Sequence, residues 1–336
     1  MEFIDVTHTP ALAQWHAVHD AAWRREALSL SWTLPELVAG AAIAWPRRTL
    51  AHIAGVVDGE TVVAGSIGLP QLDHLSHAYL EVFTRPDVRR GGYAAAMLAH
   101  LEGLGRAQGR SVFGVEVVYP LDYPADGEGH PGAAFARSRG YEFGLAEMGS
   151  ALRLPVDTTV LDELARDAEP WHRGYELRTF HGPGPAEIDH QVSVLDSTLP
   201  TEAPSGSLTL ENQTVDEESN RIGEVLLAAQ RRTRVRTVAL LGDEVVAYSD
   251  LLHPGYEPGR AYQWGTLVRR DHRGHRLGLA VKAANLRQFQ RQFPEPAEVI
   301  TFNAEDNTHM RAVNTAMGFV PVVRMGEFEK RLASGE

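Results

Sequence analysis

The 336-residue chain has no cysteine, which removes disulfide frameworks, thiolate nucleophiles and sulfur-ligated metals together. Lysine is almost as scarce. Lys282 and Lys330 are the only two, while arginine is abundant, a skew that reflects a GC-rich coding sequence more than a function. The formal charge of −12 speaks against nucleic acid, because phosphate-backbone binding needs clustered positive charge. An acidic chain can still hold one anionic cofactor locally, and it attracts cationic substrates. No apolar run approaches the ~20 residues needed to span a bilayer, and Met1 to Asp5 lacks a basic region followed by an apolar core. The chain reads as cytosolic (cytoplasmic), with no membrane role.

What is present is a duplication. Arg89-Arg90-Gly91-Gly92-Tyr93-Ala94 returns as Arg273-Gly274-His275-Arg276-Leu277-Gly278, each copy between an apolar run and a helix-like run. Val62 to Ser66 returns as Val245 to Ser249, and Gly140-Tyr141 as Gly318-Phe319. Three landmarks in one order, at offsets of 184, 183 and 178, make the halves two copies of one design. The length suits two domains of about 100 to 200 residues.

Within the first copy, residues 50–57 and 60–69 are β-rich around the hairpin turn Asp58-Gly59. A strand at 78–84 leads into the glycine segment. Ala95, Leu98, Leu101 and Leu104 recur at helical spacing up to Gly109, and 111–119 is another strand. The second copy repeats the order with strands 235–241, 244–252 and 261–268, a helix from 277 stopped by Pro294 and Pro296, and a strand at 299–302. A further helix precedes each Gly-aromatic pair, and each copy opens with a strand and one or two helices. The expected division is 1–155, a connector 156–172 containing a short helix, and 173–336.

A strand entering a tight loop and then a helix leaves the first helical N–H groups unpaired and parallel, which makes an anion site. Glycine lets the loop take unusual dihedrals and approach a ligand closely, and Arg89, Arg90, Arg273 and Arg276 add charge-assisted contacts to phosphate. A nucleotide P-loop is excluded, since no Gly-Lys pair exists. A dinucleotide fold is disfavoured, since the segment follows an antiparallel hairpin and its third strand.

These segments resemble the signature Arg/Gln-x-x-Gly-x-Gly/Ala of the GNAT superfamily of acyl-CoA-dependent N-acetyltransferases. Arg89, Gly92 and Ala94 match it; in the second copy Arg273 and Gly278 match, but Arg276 stands at the middle glycine. With residues 303–307 and 314–319 the likeness covers about 45–155 and 173–330, similar in layout to mycothiol synthase and related actinobacterial tandem GNAT proteins. The resemblance implies an α/β (α+β) fold of two tandem domains, each a mixed, mostly antiparallel sheet flanked by helices. It further implies acetyl-CoA or another acyl-CoA, no metal, and direct transfer to a small amine, for which the acidic charge favours a cationic one. Residues 89–94 (Arg89, Arg90, Gly91, Gly92, Tyr93, Ala94) and 273–278 (Arg273, Gly274, His275, Arg276, Leu277, Gly278) would cradle the pyrophosphate. Val82, Phe83 and Thr84, and Leu267 and Val268, would hold the pantetheine arm.

Forming an amide from a thioester needs a neutral amine, a donor to the oxyanion and a proton for the departing sulfur. The tyrosine that family members carry four residues before the Gly-aromatic pair is Ala136 in one copy and Asn314 in the other. Thr266, Asn303 and Asn314 are the polar candidates of the second copy, with Asn307 as a cofactor contact or helix cap. In the first copy Glu81 and Glu116 are strand carboxylates that would act as bases only if burial raised their pKa. His74 and His77 lack a third ligand for a metal. Chemistry is therefore expected in the second half, and structural coenzyme A in the first. The alternatives are a non-catalytic acyl-CoA binding or sensing protein and, disfavoured by charge, a GNAT-like transferase using aminoacyl-tRNA.

Overall fold

The computed structural model describes residues 1–332. In chain order the first part runs β1 (Glu2–Asp5), α1 (Leu12–Trp23), α2 (Leu34–Ala41), β2 (Arg48–Val57), β3 (Glu60–Pro70), β4 (His77–Thr84), α3 (Tyr93–Ala107), β5 (Val112–Tyr119), α4 (Pro131–Ser138) and β6 (Glu142–Arg153). It continues with α5 (Thr158–Ala168), β7 (Glu176–His181), α6 (Ala186–Asp196), α7 (Leu199–Glu202), α8 (Glu217–Ala229), β8 (Arg232–Leu241) and β9 (Glu244–Pro254). β10 (Arg260–Val268), α9 (Leu277–Gln292), β11 (Glu298–Ala304), α10 (Thr308–Met317) and β12 (Val320–Arg331) complete it. Among the described residues no helix is long and apolar enough to cross a membrane.

The chain forms two compact units. One comprises Met1–Glu147, Ser205–Glu211 and the segment from Val322; the other comprises Met148–Pro204 and Asn212–Pro321. The sequence halves 1–155 and 173–336 therefore do not coincide with the compact units at their ends. The reason is strand pairing: β12 runs antiparallel along β5, with Glu327 opposite Glu116 and Arg331 opposite Val112. The strands β6 and β12 follow the Gly-aromatic pairs and were not anticipated.

In the first unit the strand order is β1-β2-β3-β4-β5-β12-β6. The β2–β3 hairpin turns through Asp58 and Gly59, both at positive φ, as a two-residue hairpin requires. Helix α3 packs one sheet face through Met97, Leu98 and Leu101 against Ile53, Val63 and Leu80. Helix α1 covers the other through Leu12, Trp15 and Val18 against Ala54 and Ala64. α2 starts at a capping box in which Glu36 accepts from the Thr33 backbone N–H, satisfying donors that the helix cannot.

The second unit orders its strands β11-β10-β9-β8-β7, with α9 packed on Val235, Leu251 and Val299 through Leu286 and Phe289. α6 lies on the opposite face, its Ile188, Val192 and Leu195 against Val238, Leu240 and Leu267. A buried bidentate pair, Arg236 to Asp250 at 2.8 and 2.6 Å, also reaches Asp189 of α6 at 3.0 Å. The acidic run at Asp216 is the start of α8, where the Asp216 carboxylate accepts from the Ser219 N–H at 2.7 Å.

Candidate active site

Both glycine segments sit where sequence reasoning puts them, between β4 and α3 and between β10 and α9. Their backbones match residue by residue. Arg89 (φ −55°, ψ 154°) corresponds to Arg273 (φ −69°, ψ 158°). The next residues, Arg90 at φ 69° and Gly274 at φ 88°, are both left-handed. So are the helix N-caps, Gly92 at φ 82° and Arg276 at φ 51°. Each copy thus needs two left-handed positions and places a glycine at one of them, with arginine at the other. The substitution of Arg276 for glycine leaves the loop intact, at a backbone cost of about 1–2 kcal/mol for the Cβ.

The first intrahelical bonds are Ala96 N–H to Gly92 carbonyl and Ala280 N–H to Arg276 carbonyl, both 3.1 Å. The preceding N–H groups, on Tyr93, Ala94, Leu277 and Gly278 among others, are the orphan donors of the helix start. A pyrophosphate fits both cradles on this evidence: paired left-handed turns, orphan donors and flanking guanidinium groups.

The side chains around the cradles differ. Arg90 has no hydrogen-bond or ion-pair partner among the described residues, and Arg89 acts only through space on Glu26. In the second unit the cationic side chains are occupied. Glu202, at the end of α7, pairs with Arg273 at 2.7 Å and Arg270 at 3.2 Å. Arg276 lies over the Trp171 ring at 5.0 Å and donates to the Asp167 carbonyl at 3.1 Å, and His275 meets the Trp171 carbonyl at 2.9 Å.

The strands leading to the cradles part in both units. β4 and β5 pair in parallel only from His77–Val112 to Tyr79–Gly114, so Val82, Phe83 and Thr84 keep β3 on one side and an opening on the other. The Thr84 hydroxyl is buried without a partner. β10 and β11 pair only from Arg260–Glu298 to Tyr262–Ile300, leaving Leu267 and Val268 beside the opening. A cavity of about 370 Å³ lies there, lined by Gln191, Val194, Thr198, Glu202, Leu267 and Val268.

One irregularity separates the units. Along β10 the register to β9 slips between Gln263 and Thr266, a β-bulge whose extra residue leaves backbone groups unpaired. No slip interrupts β3 and β4 from Val63–Thr84 to Gly68–Tyr79. Next to the bulge, Thr266 shares a 2.9 Å hydrogen bond with Ser249, and Gln263 donates to Ser249 at 3.1 Å.

The asparagines separate by role. Asn307 caps α10, its side-chain oxygen accepting from Met310 N–H at 3.1 Å, so the capping role holds for its carbonyl. Asn314 is buried at 4% exposure, donating to Asn303 at 2.6 Å and accepting from Lys282 at 2.7 Å. Burial pushes the Lys282 amine down to about 7. Sequence reading passed over Lys282; the signal available was a single lysine on the apolar face of a helix between Leu279 and Leu286.

In the first unit, Ala136 at the tyrosine position is simply core. The carboxylates form a group: Glu116 is pushed up to about 7 by burial, then by Glu327 and Glu81; Glu147 to about 7 by burial and Glu116; Glu327 to about 8 by burial, Glu147 and Glu329. The Glu116 side chain is open to solvent, two residues past the last β4–β5 pair. Glu81 accepts from the Ser66 hydroxyl at 2.7 Å. His74 and His77 stand with ring centroids 5.3 Å apart, and no group of three or more metal-ligating side chains occurs among the described residues.

Residues 15–126 match the family described as Acetyltransferase (GNAT) family. The structure is similar over 100% of this chain and 99% of the other to a tandem GNAT protein from the clavulanic acid biosynthesis pathway, solved without AcCoA, at 26% identity and TM-score 0.81. Residues 15–126 thus carry a GNAT acetyltransferase domain, and the whole chain has the fold of a tandem GNAT protein. Two further likenesses concern fold alone: a GCN5-related N-acetyltransferase from Sphaerobacter thermophilus (15% identity, 99% and 97% covered, TM-score 0.64) and a putative acetyltransferase from Pyrococcus horikoshii (9%, 99% and 91%, TM-score 0.56). Among curated proteins none matches the sequence. The matched family is one of acetyltransferases, so the enzyme class these likenesses support is an N-acetyltransferase.

Proposed function

We propose that this chain transfers an acyl group, most simply acetyl, from acyl-CoA to a small amine in its second half (173–336), while its first half (1–155), joined by 156–172, retains coenzyme A structurally. The observation that carries the siting is the β-bulge between Gln263 and Thr266. It lies where β10 and β11 part, so an unpaired backbone N–H is available as the oxyanion donor that acyl transfer requires. Acyl-CoA, when bound, supplies the activated carbonyl and the leaving sulfur. Arg273 to Gly278 would hold its pyrophosphate, with Leu267 and Val268 along the pantetheine arm. Thr266 fixes the hydroxyl network under the bulge, and Asn303, held from behind by the buried Asn314, presents its amide at the far side of the opening.

For the first half the support is the pair of unpaired arginines. Arg89 and Arg90, with Gly91 to Ala94, meet no internal carboxylate at hydrogen-bond distance, so an anion there displaces nothing. Acetyl-CoA would lie along Val82, Phe83 and Thr84. The net charge of −12 suits a cationic acceptor and disfavours nucleic acid as a partner.

A second reading has its own observation: Glu116, on β5 just past its last pair with β4 and poised near neutrality, would supply a general base in the first unit. The test is thiol release from acetyl-CoA with spermidine, glucosamine and an aminoglycoside as acceptors, together with native mass spectrometry to count bound coenzyme A. Loss of turnover in Asn303→Ala with full activity in Glu116→Gln supports the second half. The opposite pattern moves the chemistry to the first, and binding without any acceptor-dependent release marks a non-catalytic acyl-CoA binding protein.

A further inference from the structure

Lys282 stands mid-helix on the core face of α9, 1% exposed. An ammonium group there is costly unless paired, yet no carboxylate answers it. Its end meets the Asn314 side-chain oxygen at 2.7 Å and the Phe319 ring at 5.3 Å. Of the groups on the elements packed against α9, namely α5, α10, β7, β8, β9 and β10, none contributes to its shift, which comes from burial alone.

As an ammonium group Lys282 only donates, and that fixes the direction of everything downstream. The Asn314 atom facing Lys282 must be its oxygen, so its amide nitrogen is the group that faces Asn303, at 2.6 Å. The Asn303 atom receiving that bond must in turn be its oxygen. What remains at the end of the chain is the Asn303 amide nitrogen, a donor with no partner among the described residues. Asn303 lies on β11 three residues beyond Ile300, the last to pair with β10, hence at the opening.

The first half shows that the fold does not need this chain of groups. Lys282 corresponds to Leu98 and Asn314 to Ala136, both 3% exposed. Asn303, five residues past the first parallel pair, corresponds to Val117, which packs against the core. Three polar positions in one copy are three apolar positions in the other. A partly satisfied network would be worse than either state.

We infer that Lys282 is a positioning residue, orienting Asn314 and through it aiming the Asn303 amide N–H at the sulfur that departs in acyl transfer. This rests on the proposed siting of the reaction in the second half. As the C–N bond forms and the C–S bond breaks, sulfur leaves with the bonding electron pair. Asn303 donates a hydrogen bond to that charge and gives up no proton; the proton that sulfur finally takes is the one the acceptor nitrogen loses. With Lys282 charged the donor is polarised further, so this contribution falls as pH rises through about 7.

The test uses the fact that lysine occurs only at 282 and 330. Side-chain 13C,15N-lysine spectra of the full chain contain two signals, one from Lys330 paired with Glu102. The Lys282 signal is expected to titrate near neutrality and to move when coenzyme A is added, and Asn303→Ala should abolish that movement. In thiol release from acetyl-CoA, Lys282→Met is expected to lower kcat by about 10- to 100-fold, with KM for acetyl-CoA within about twofold, and to remove the fall in kcat above neutral pH. The Lys282→Met/Asn303→Ala double variant should be no slower than Asn303→Ala alone. A Lys282→Met enzyme with wild-type kcat and pH profile beside a slow Asn303→Ala overturns the inference, as does an additive double variant. If both single variants keep full turnover, the siting in the second half fails as well. Should Lys282→Met misfold, Lys282→Leu, the residue the first copy carries at this place, replaces it.

Discussion

Replacing Lys282 by methionine should make the protein more stable at neutral pH and less stable in alkali. Burial moves the amine from its ordinary 10.5 to about 7. At about 1.4 kcal/mol per unit, the folded state is penalised by up to ~5 kcal/mol for the proton the unfolded lysine holds. Methionine removes that penalty and fills similar space, but it leaves the Asn314 oxygen buried without a donor, a loss of about 1–3 kcal/mol. The net at pH 7 is a gain of roughly 2–4 kcal/mol. A group with a depressed folded pKa contributes its full stability above the unfolded value and loses it as pH falls toward the folded value. The wild type therefore recovers between pH 7 and 10.5, and at pH 10 less than about 1 kcal/mol of that penalty remains, so the orphaned oxygen outweighs it, to the variant's disadvantage. Urea unfolding at pH 7 and pH 10, followed by fluorescence and circular dichroism, reads this directly. A variant weaker at both pH values, or a difference that does not change with pH, refutes the claim that Lys282 is desolvated and unpaired by charge.

Three further outcomes follow from the same geometry. Gly92→Ala meets no atom within 4 Å, so its effect is the left-handed backbone alone; about 1 kcal/mol should weaken acetyl-CoA binding roughly fivefold by calorimetry, and unchanged affinity would show that the cradle does not need this turn. Glu202→Gln releases Arg270 and Arg273 and should tighten coenzyme A binding in the second half several-fold, seen as a second equivalent in native mass spectra; no gain would mean that the ion pair does not compete with phosphate. The raised pKa values of Glu116, Glu147 and Glu327 make stability full below about pH 4.5 and lose it as pH rises toward 8. Glu327→Gln should accordingly raise the melting temperature at pH 8 and leave it nearly unchanged at pH 4, and an equal shift at both would remove the carboxylate group as the cause.

Much of the fold was legible because its signals are local. The Asp58-Gly59 turn, the spacing of Leu98, Leu101 and Leu104, and Pro294 after α9 act within a few residues, and strand and helix bounds fell close to the expected ones. The end of each copy was not legible. Nothing in residues 320–331 states that this strand pairs along β5, since the partner lies some two hundred residues away and β pairing is decided by side-chain fit across strands.

The candidate site divides along the same line. Sequence alone determined that the glycine segment is duplicated, that it opens a helix, and that the tyrosine position holds Ala136 and Asn314. It could not determine that Arg276 takes the same left-handed turn as Gly92, because backbone dihedrals at a loop are set by the strand and helix on either side. Nor could it reveal that Glu202 occupies the second cradle's arginines, or that Lys282, Asn314 and Asn303 form one directed chain. Each of those depends on distance and burial. An ammonium group acquires a direction and a shifted pKa only when the fold removes water from around it and leaves a single acceptor within reach.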